Sequence, residues 1–188
     1  MNKFLAVLCL VAISCGQQEQ KQEAPATGAQ VASPAAHGVT WHAPEGWITE
    51  SPSSSMRKAQ YRLPRAEGDP EDASVVVFYF QGQGGGVQAN IHRWYSQFIQ
   101  PDGRATSEVA KVETATVNGH KQTTVDITGT YLFQATPMSP HTTEKPGFRM
   151  LATVIETPGG PYFVKFVGPE KTVTKWQESY HTFVASFK

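Results

Sequence analysis

The stretch VAKVETATVNGHKQTTVDITGTYLF, residues 109–133, decides the fold. Asn118-Gly119 supplies two residues that tolerate positive φ, the requirement of the tight turn whose twist matches paired strands. The flanking segments, 109–117 and 120–133, are rich in Val, Thr, Ile and Tyr and read as strands. They must therefore pair antiparallel. A second hairpin follows, with 148–157 and 161–167 flanking Pro158-Gly159-Gly160.

Outward from the hairpins, the other elements supply more strands and two covering helices. Val39 to Pro44 reads as a short strand stopped by proline, and Glu45-Gly46 turns the chain into Trp47. Residues 57–63 alternate, with Arg57, Ala59, Tyr61 and Leu63 on one side and Lys58, Gln60 and Arg62 on the other. Residues 74–80 are apolar on both faces, which fits a strand inside a sheet covered on both sides. Ile91, Trp94, Tyr95 and Phe98 fall at i, i+3, i+4 and i+7, the spacing of an amphipathic helix. After Pro169, a C-terminal helix carries the stripe Val173, Trp176, Tyr180, Phe183, Val184 and Phe187. The expected fold is α+β: an antiparallel sheet of about six or seven strands sandwiched by helices, in one domain over 38–188.

The N-terminus carries a different message. Lys3 precedes an apolar run from Phe4 to Ile13 that ends at Ser14 and Cys15. That is the layout of a secretory signal peptide over 1–14, too short to span a bilayer. Ala12-Ile13-Ser14-Cys15 resembles the lipobox of bacterial lipoproteins, although Leu is commoner where Ala12 stands. The alternative is an ordinary secreted protein cleaved nearby, with Cys15 left free. The resemblance implies acylation of Cys15, including palmitate, and hence attachment to a membrane of the cell envelope. Gly16 and Gln17 lack the aspartate that resembles an inner-membrane retention signal, so in a Gram-negative host the outer membrane, facing the periplasm, is the expected destination. Residues 16–37 hold Gln, Glu, Lys, Ala and Pro with almost nothing apolar, so 15–37 reads as the attachment cysteine and a disordered tether.

Composition excludes several functions. Lys plus Arg and Asp plus Glu number 16 each in 188 residues, a balance that argues against nucleic-acid binding and against a polybasic membrane surface. Cys9 leaves with the signal peptide and Cys15 is the acylation site, so the domain has no thiol for disulfides, thiol catalysis or zinc–thiolate binding.

The order of these elements, with Pro44-Glu45-Gly46-Trp47 closing the opening strand, resembles the Mog1/PsbP-like fold over residues 38–188. The resemblance implies an accessory or binding protein, not an enzyme, and it carries over no site residue.

Motifs for chemistry are few. Gly82-Gln83-Gly84-Gly85-Gly86 lies between a strand and a helix, but Val87 stands where either phosphate-binding motif requires something else, so no nucleotide is expected. His141 and Glu144 have one-turn spacing, yet Pro137, Pro140 and Pro146 break any helix that would align them, and no metal or other cofactor is expected. Asp126 and Glu156 would serve as an acid/base pair only if their faces converged; ion pairing with Arg149 or Lys165 is the ordinary alternative. The best candidate is a polar strip. Thr124, Asp126, Thr128 and Thr130 share a strand face opposite Val125, Ile127, Tyr131 and Phe133. Beside it, the proline-rich loop 134–147 offers Met138 and His141, with Arg149 following, as contacts. The strip is either a groove floor or a solvated sheet face.

Three functions follow from these readings. The first is a lipid-anchored, non-catalytic module that docks on an envelope protein. The second is a small-ligand-binding lipoprotein that uses Thr124, Asp126, Thr128 and the 134–147 loop. The third is a hydrolase built on Asp126 and Glu156. Exposed aromatic patches would favour the first, a polar concavity the second, and two carboxylates about 5–10 Å apart the third. Cys15→Ser is expected to move the protein from the membrane to the soluble fraction on cell fractionation; a membrane-bound variant would refute the anchor.

Overall fold

A computed structural model describes residues 38–134 and 141–188, in which eight strands form one antiparallel sheet. The elements are β1 (Ile48–Glu50), β2 (Arg57–Leu63), β3 (Ala73–Tyr79), α1 (Val87–Tyr95), β4 (Phe98–Ile99), α2 (Thr106–Val109), β5 (Lys111–Val117), β6 (His120–Phe133), β7 (Thr143–Glu156), β8 (Tyr162–Pro169) and α3 (Glu170–Ala185). The sheet runs β1-β2-β3-β8-β7-β6. The far edge of β6 pairs with β5 along its first half and with β4 near its end. The class is the expected α+β, with eight strands instead of six or seven. β1 and β4, of three and two residues, are too short to leave a periodic signal. The signal segment, Cys15 and the tether, residues 1–37, lie outside the described residues, as does 135–140 with Met138.

β3, β8 and β7 are apolar on both faces and are covered on both. On one side α3 lays Val173, Tyr180, Phe183 and Val184 over Tyr61, Leu63, Val75, Val77, Leu151, Ile155, Val164 and Phe166. The ring of Phe183 lies 4.8 Å from Trp47 and 5.6 Å from Tyr61, and Phe187 stacks on Trp41 at 5.0 Å. The expected opening strand is not a strand of the sheet. Instead Thr40 exchanges two backbone hydrogen bonds with Lys188, which ties the domain's start to its end. Gly46 has φ +83°, and a Cβ there would stand 2.8 Å from the Trp176 ring, so the Pro44–Trp47 turn needs glycine on two counts.

On the other side α1 places Ile91 and Trp94 over Val125, Ile127, Met150, Ala152, Val154 and Phe163. The expected helix through Phe98 ends early: Ser96 caps it, and Phe98 belongs to β4, still buried in the same layer. The Gly82–Gly86 connection is fastened by buried Asn90, whose Nδ2 donates to the carbonyls of Gly84 at 2.9 Å and Gly86 at 3.0 Å. The strand expected from residue 109 begins at Lys111, because 106–109 form the single turn α2. The long loop expected over 134–147 is shorter, since β7 begins at Thr143.

A buried hydroxyl chain joins the sheet to α3. The hydroxyls of Thr124 and Thr153 lie 2.9 Å apart, those of Thr153 and Tyr180 2.8 Å apart, and Tyr180 donates to the Val164 carbonyl at 3.2 Å. Burial pushes the Tyr180 phenol above its ordinary range. Phe183→Ala is expected to cost about 3–5 kcal/mol in denaturant unfolding, because the ring is fully enclosed. Trp176, in the same stripe, is only partly buried and rests its Nε1 on the Pro64 carbonyl at 2.9 Å, so Trp176→Ala is expected to cost less.

Candidate functional site

The structure separates the polar strip into different roles. Asp126 accepts two hydrogen bonds from Arg149, at 2.9 Å from Nε and 2.8 Å from Nη2, and Arg149 also donates to Thr174 of α3 at 3.0 Å. This bidentate pair is largely enclosed and fixes the start of α3 to the sheet. The Arg149 guanidinium is held above its ordinary pKa by the Asp126 carboxylate. Thr124 belongs to the hydroxyl chain, whereas Thr128 is exposed. Asp126, Thr128 and Arg149 line a shallow hollow of about 570 Å³ with Arg104, Lys111 and Glu170. Thr124 and His141 do not line it. His141 precedes β7 by two residues and stands roughly 25 Å along the strand from Arg149, at about 3.4 Å per residue.

The acid/base pair does not form. Lys121 is the cross-strand partner of Glu156 and lies five positions before Asp126 on β6, about 17 Å away. Odd and even positions face opposite sides of the sheet, so the two carboxylates also point apart. Each has its own cation, Arg149 for Asp126 and Lys121 for Glu156 at 3.6 Å.

A larger concavity lies on the α1 side. It measures about 930 Å³ and runs between the C-terminal end of α1, parts of β2 and β3, the end of β6 and the start of β7. Lys165 of β8 forms its floor. Its Nζ donates to Gln97 Oε1 at 2.6 Å and to the Tyr131 hydroxyl at 2.9 Å, and sits 4.8 Å from the Tyr131 ring centre. Loss of water around the ammonium, with the nearby Arg57 charge adding to it, pulls its pKa down to about 8. Burial pushes the Tyr131 phenol up.

Arg57 and Arg93 also line this groove; Arg57 does not share the face of Ala59, Tyr61 and Leu63 as its alternation suggests, because a register shift between Arg57 and Ala59 turns it to the α1 side. Arg57 donates to Gln60 and lies 5.5 Å from the Phe78 ring centre; Arg93 donates to Asn90. Among the described residues none of Arg57, Arg93 and Lys165 is within ion-pair distance of a carboxylate. The fourth cation, Lys145, is held by Glu71 and lies against the rings of Phe133 and Phe148.

Lys145 reaches the groove through a bulge. Phe148 pairs with Gly129 but Lys145 pairs with Tyr131, so Pro146-Gly147 gives β7 one extra residue. Without that insertion Lys145 would face the other side of the sheet. Gly129, opposite the bulge, has no room for a side chain: a Cβ would stand 2.9 Å from the Ile99 carbonyl.

Sequence reading misses this groove because its cations come from β2, α1, β7 and β8. One signal is visible in PYFVKFV, residues 161–167, where Lys165 interrupts an apolar run. A lone charge in a strand buried on both faces needs a polar environment built around it. Lys165 pairs with neither Asp126 nor Glu156, in contrast to one of the expected alternatives.

No family model matches the chain, and no curated protein matches it. Among solved structures, the cyanobacterial PsbP of Synechocystis sp. PCC 6803 is similar at 15% identity and a TM-score of 0.45, covering 80% of this chain and 86% of that one. A protein of unknown function from Pseudomonas aeruginosa is similar at 12% identity and a TM-score of 0.47, covering 85% and 96%. Likeness at this level carries no functional argument, so the function is argued from the site's own residues.

Two outcomes follow. Asp126→Asn is expected to lower stability by about 1–3 kcal/mol in urea unfolding, since it weakens a charge-assisted, partly buried pair. Folding lowers the Lys165 pKa from 10.5 to about 8, so the unfolded chain holds that proton more tightly. The penalty is full below pH 8 and fades as pH rises to 10.5. The stability of wild type relative to Lys165→Met is therefore expected to improve across that window in pH-resolved unfolding; a flat difference would contradict it.

Proposed function

We propose that this protein is a lipid-anchored, non-catalytic binding module of the bacterial cell envelope, tethered through Cys15, whose α1-side groove captures an anionic ligand. The observation that carries the reading is the set Arg57, Arg93 and Lys165: three cations without a carboxylate partner around one concavity. Lys165 is the desolvated member of the set; burying its charge without a carboxylate costs stability, and an arriving anion offsets that cost. The lipobox resemblance supports the anchor. Among the described residues the groove lining includes no histidine to activate Ser74, Ser96 or Thr142, which supports binding over hydrolysis.

Docking of an envelope protein draws less support. Among the described residues the exposed large apolar side chains, Ile48, Met56, Ile99, Val112 and Phe133, are spread over five strands or loops, and of these only Phe133 lines the groove. A protein interface would need an apolar centre of larger extent.

The test is native mass spectrometry of the full lipoprotein released from its own membrane in mild detergent. A non-covalent anionic adduct on wild type that is absent from the Arg57→Gln/Arg93→Gln variant is the expected result. Identical adduct-free spectra for both proteins would count against the reading.

A further inference from the structure

The groove's chemistry narrows the ligand class, an inference that rests on the binding reading above. An ammonium carries three donors, and Gln97 and Tyr131 take two of those on Lys165, which leaves one for the groove. α1 presents its C-terminal end there, through Arg93, Ser96 and Gln97, so the groove gains no free N–H groups from a helix start. A phosphate dianion would lose much of its hydration and recover few donors at this floor. A carboxylate needs less. The Tyr131 ring lies 4.8 Å from the ammonium, and Phe78 and Phe148 line the same groove, aromatic surface that suits an apolar body but offers little to a bare inorganic ion.

We propose that the groove binds a small organic carboxylate, with its charged end on Lys165 Nζ and its apolar body against Phe78, Tyr131 and Phe148. Arg57 and Arg93 also line the groove and add positive charge that draws and holds the anion. Lys145 is engaged with Glu71, and Asp72 with Arg62, so these pairs leave the central charge to Lys165. A small molecule fits better than an acidic peptide, because the anion-reading group sits at the floor while, among the described residues, the lining offers only Phe133 as an exposed large apolar anchor.

Calorimetric titration of the full chain in a non-ionic detergent tests this with 3-phenylpropionate, its neutral amide, inorganic phosphate and the blocked peptide acetyl-Ala-Glu-Phe-Ala-amide. The acid is expected to bind, and the amide and phosphate to bind at least about tenfold more weakly. Lys165→Met, shown by its thermal melt to be folded, is expected to lose at least about tenfold. With the lysine at a pKa of about 8, moving from pH 7 to 9.5 should weaken the acid about 30-fold, the factor by which the charged lysine is depleted. The inference is overturned if the acid does not bind, if the amide or phosphate matches it, if Lys165→Met binds undiminished, or if the peptide binds more tightly. A phosphate adduct captured from native membranes would sink the carboxylate class and leave an anion-binding groove, whereas a neutral adduct would count against both readings. Failure of both experiments would remove the binding reading itself.

Discussion

Everything in this domain depends on covering a sheet whose middle strands are apolar on both faces. β3, β8 and β7 cannot leave either side to water without exposing Val75, Val77 and Phe166 on one face or Met150, Val154 and Phe163 on the other. The two helices that do the covering are unequal. α3 has 16 residues, about 24 Å of helix, while α1 has nine, about 14 Å. The longer one, with Trp41, Trp47 and Phe187, covers its face apart from the shallow hollow beside Asp126 and Arg149. The shorter one does not reach across the other, and the uncovered part is the groove.

That asymmetry accounts for the placement of Lys165. A lysine at the same depth under α3 would lie among Tyr180, Phe183 and Phe166, closed off from water, where the Thr153 and Tyr180 hydroxyls are already engaged with each other. Under the end of α1 it finds Gln97, Tyr131 and the open groove. The hydroxyl chain on the α3 side, by contrast, closes on the backbone at Val164 and leaves little to react. One face is mostly closed core with a shallow hollow at its margin, and the other combines core with the larger polar concavity.

The polar strip shows how a strand pattern misleads about function. Thr124, Asp126 and Thr128 do share a face, as their spacing requires. That face, however, receives the first turns of α3, and the packing converts Asp126 into a clamp on Arg149 and Thr124 into a link to Thr153. His141 ends up at the far end of the hairpin. Alternation reports which side of a sheet a residue is on; it does not report what lands on that side.

The sequence by itself determined what is local. Asn118-Gly119 and Pro158-Gly159-Gly160 dictate two hairpins through turn geometry, and residue alternation makes 57–63 a strand. The apolar stripe from Val173 to Phe187 requires a covering helix. These follow from interactions within a few residues, so they are readable without coordinates. Only the tertiary structure decided the register shift at Pro146-Gly147, the early end of α1 and the meeting of Arg57, Arg93, Tyr131 and Lys165. Those residues span more than a hundred positions, and what brings them together is the pairing of β3 with β8 and β8 with β7, a long-range choice made by the whole core at once.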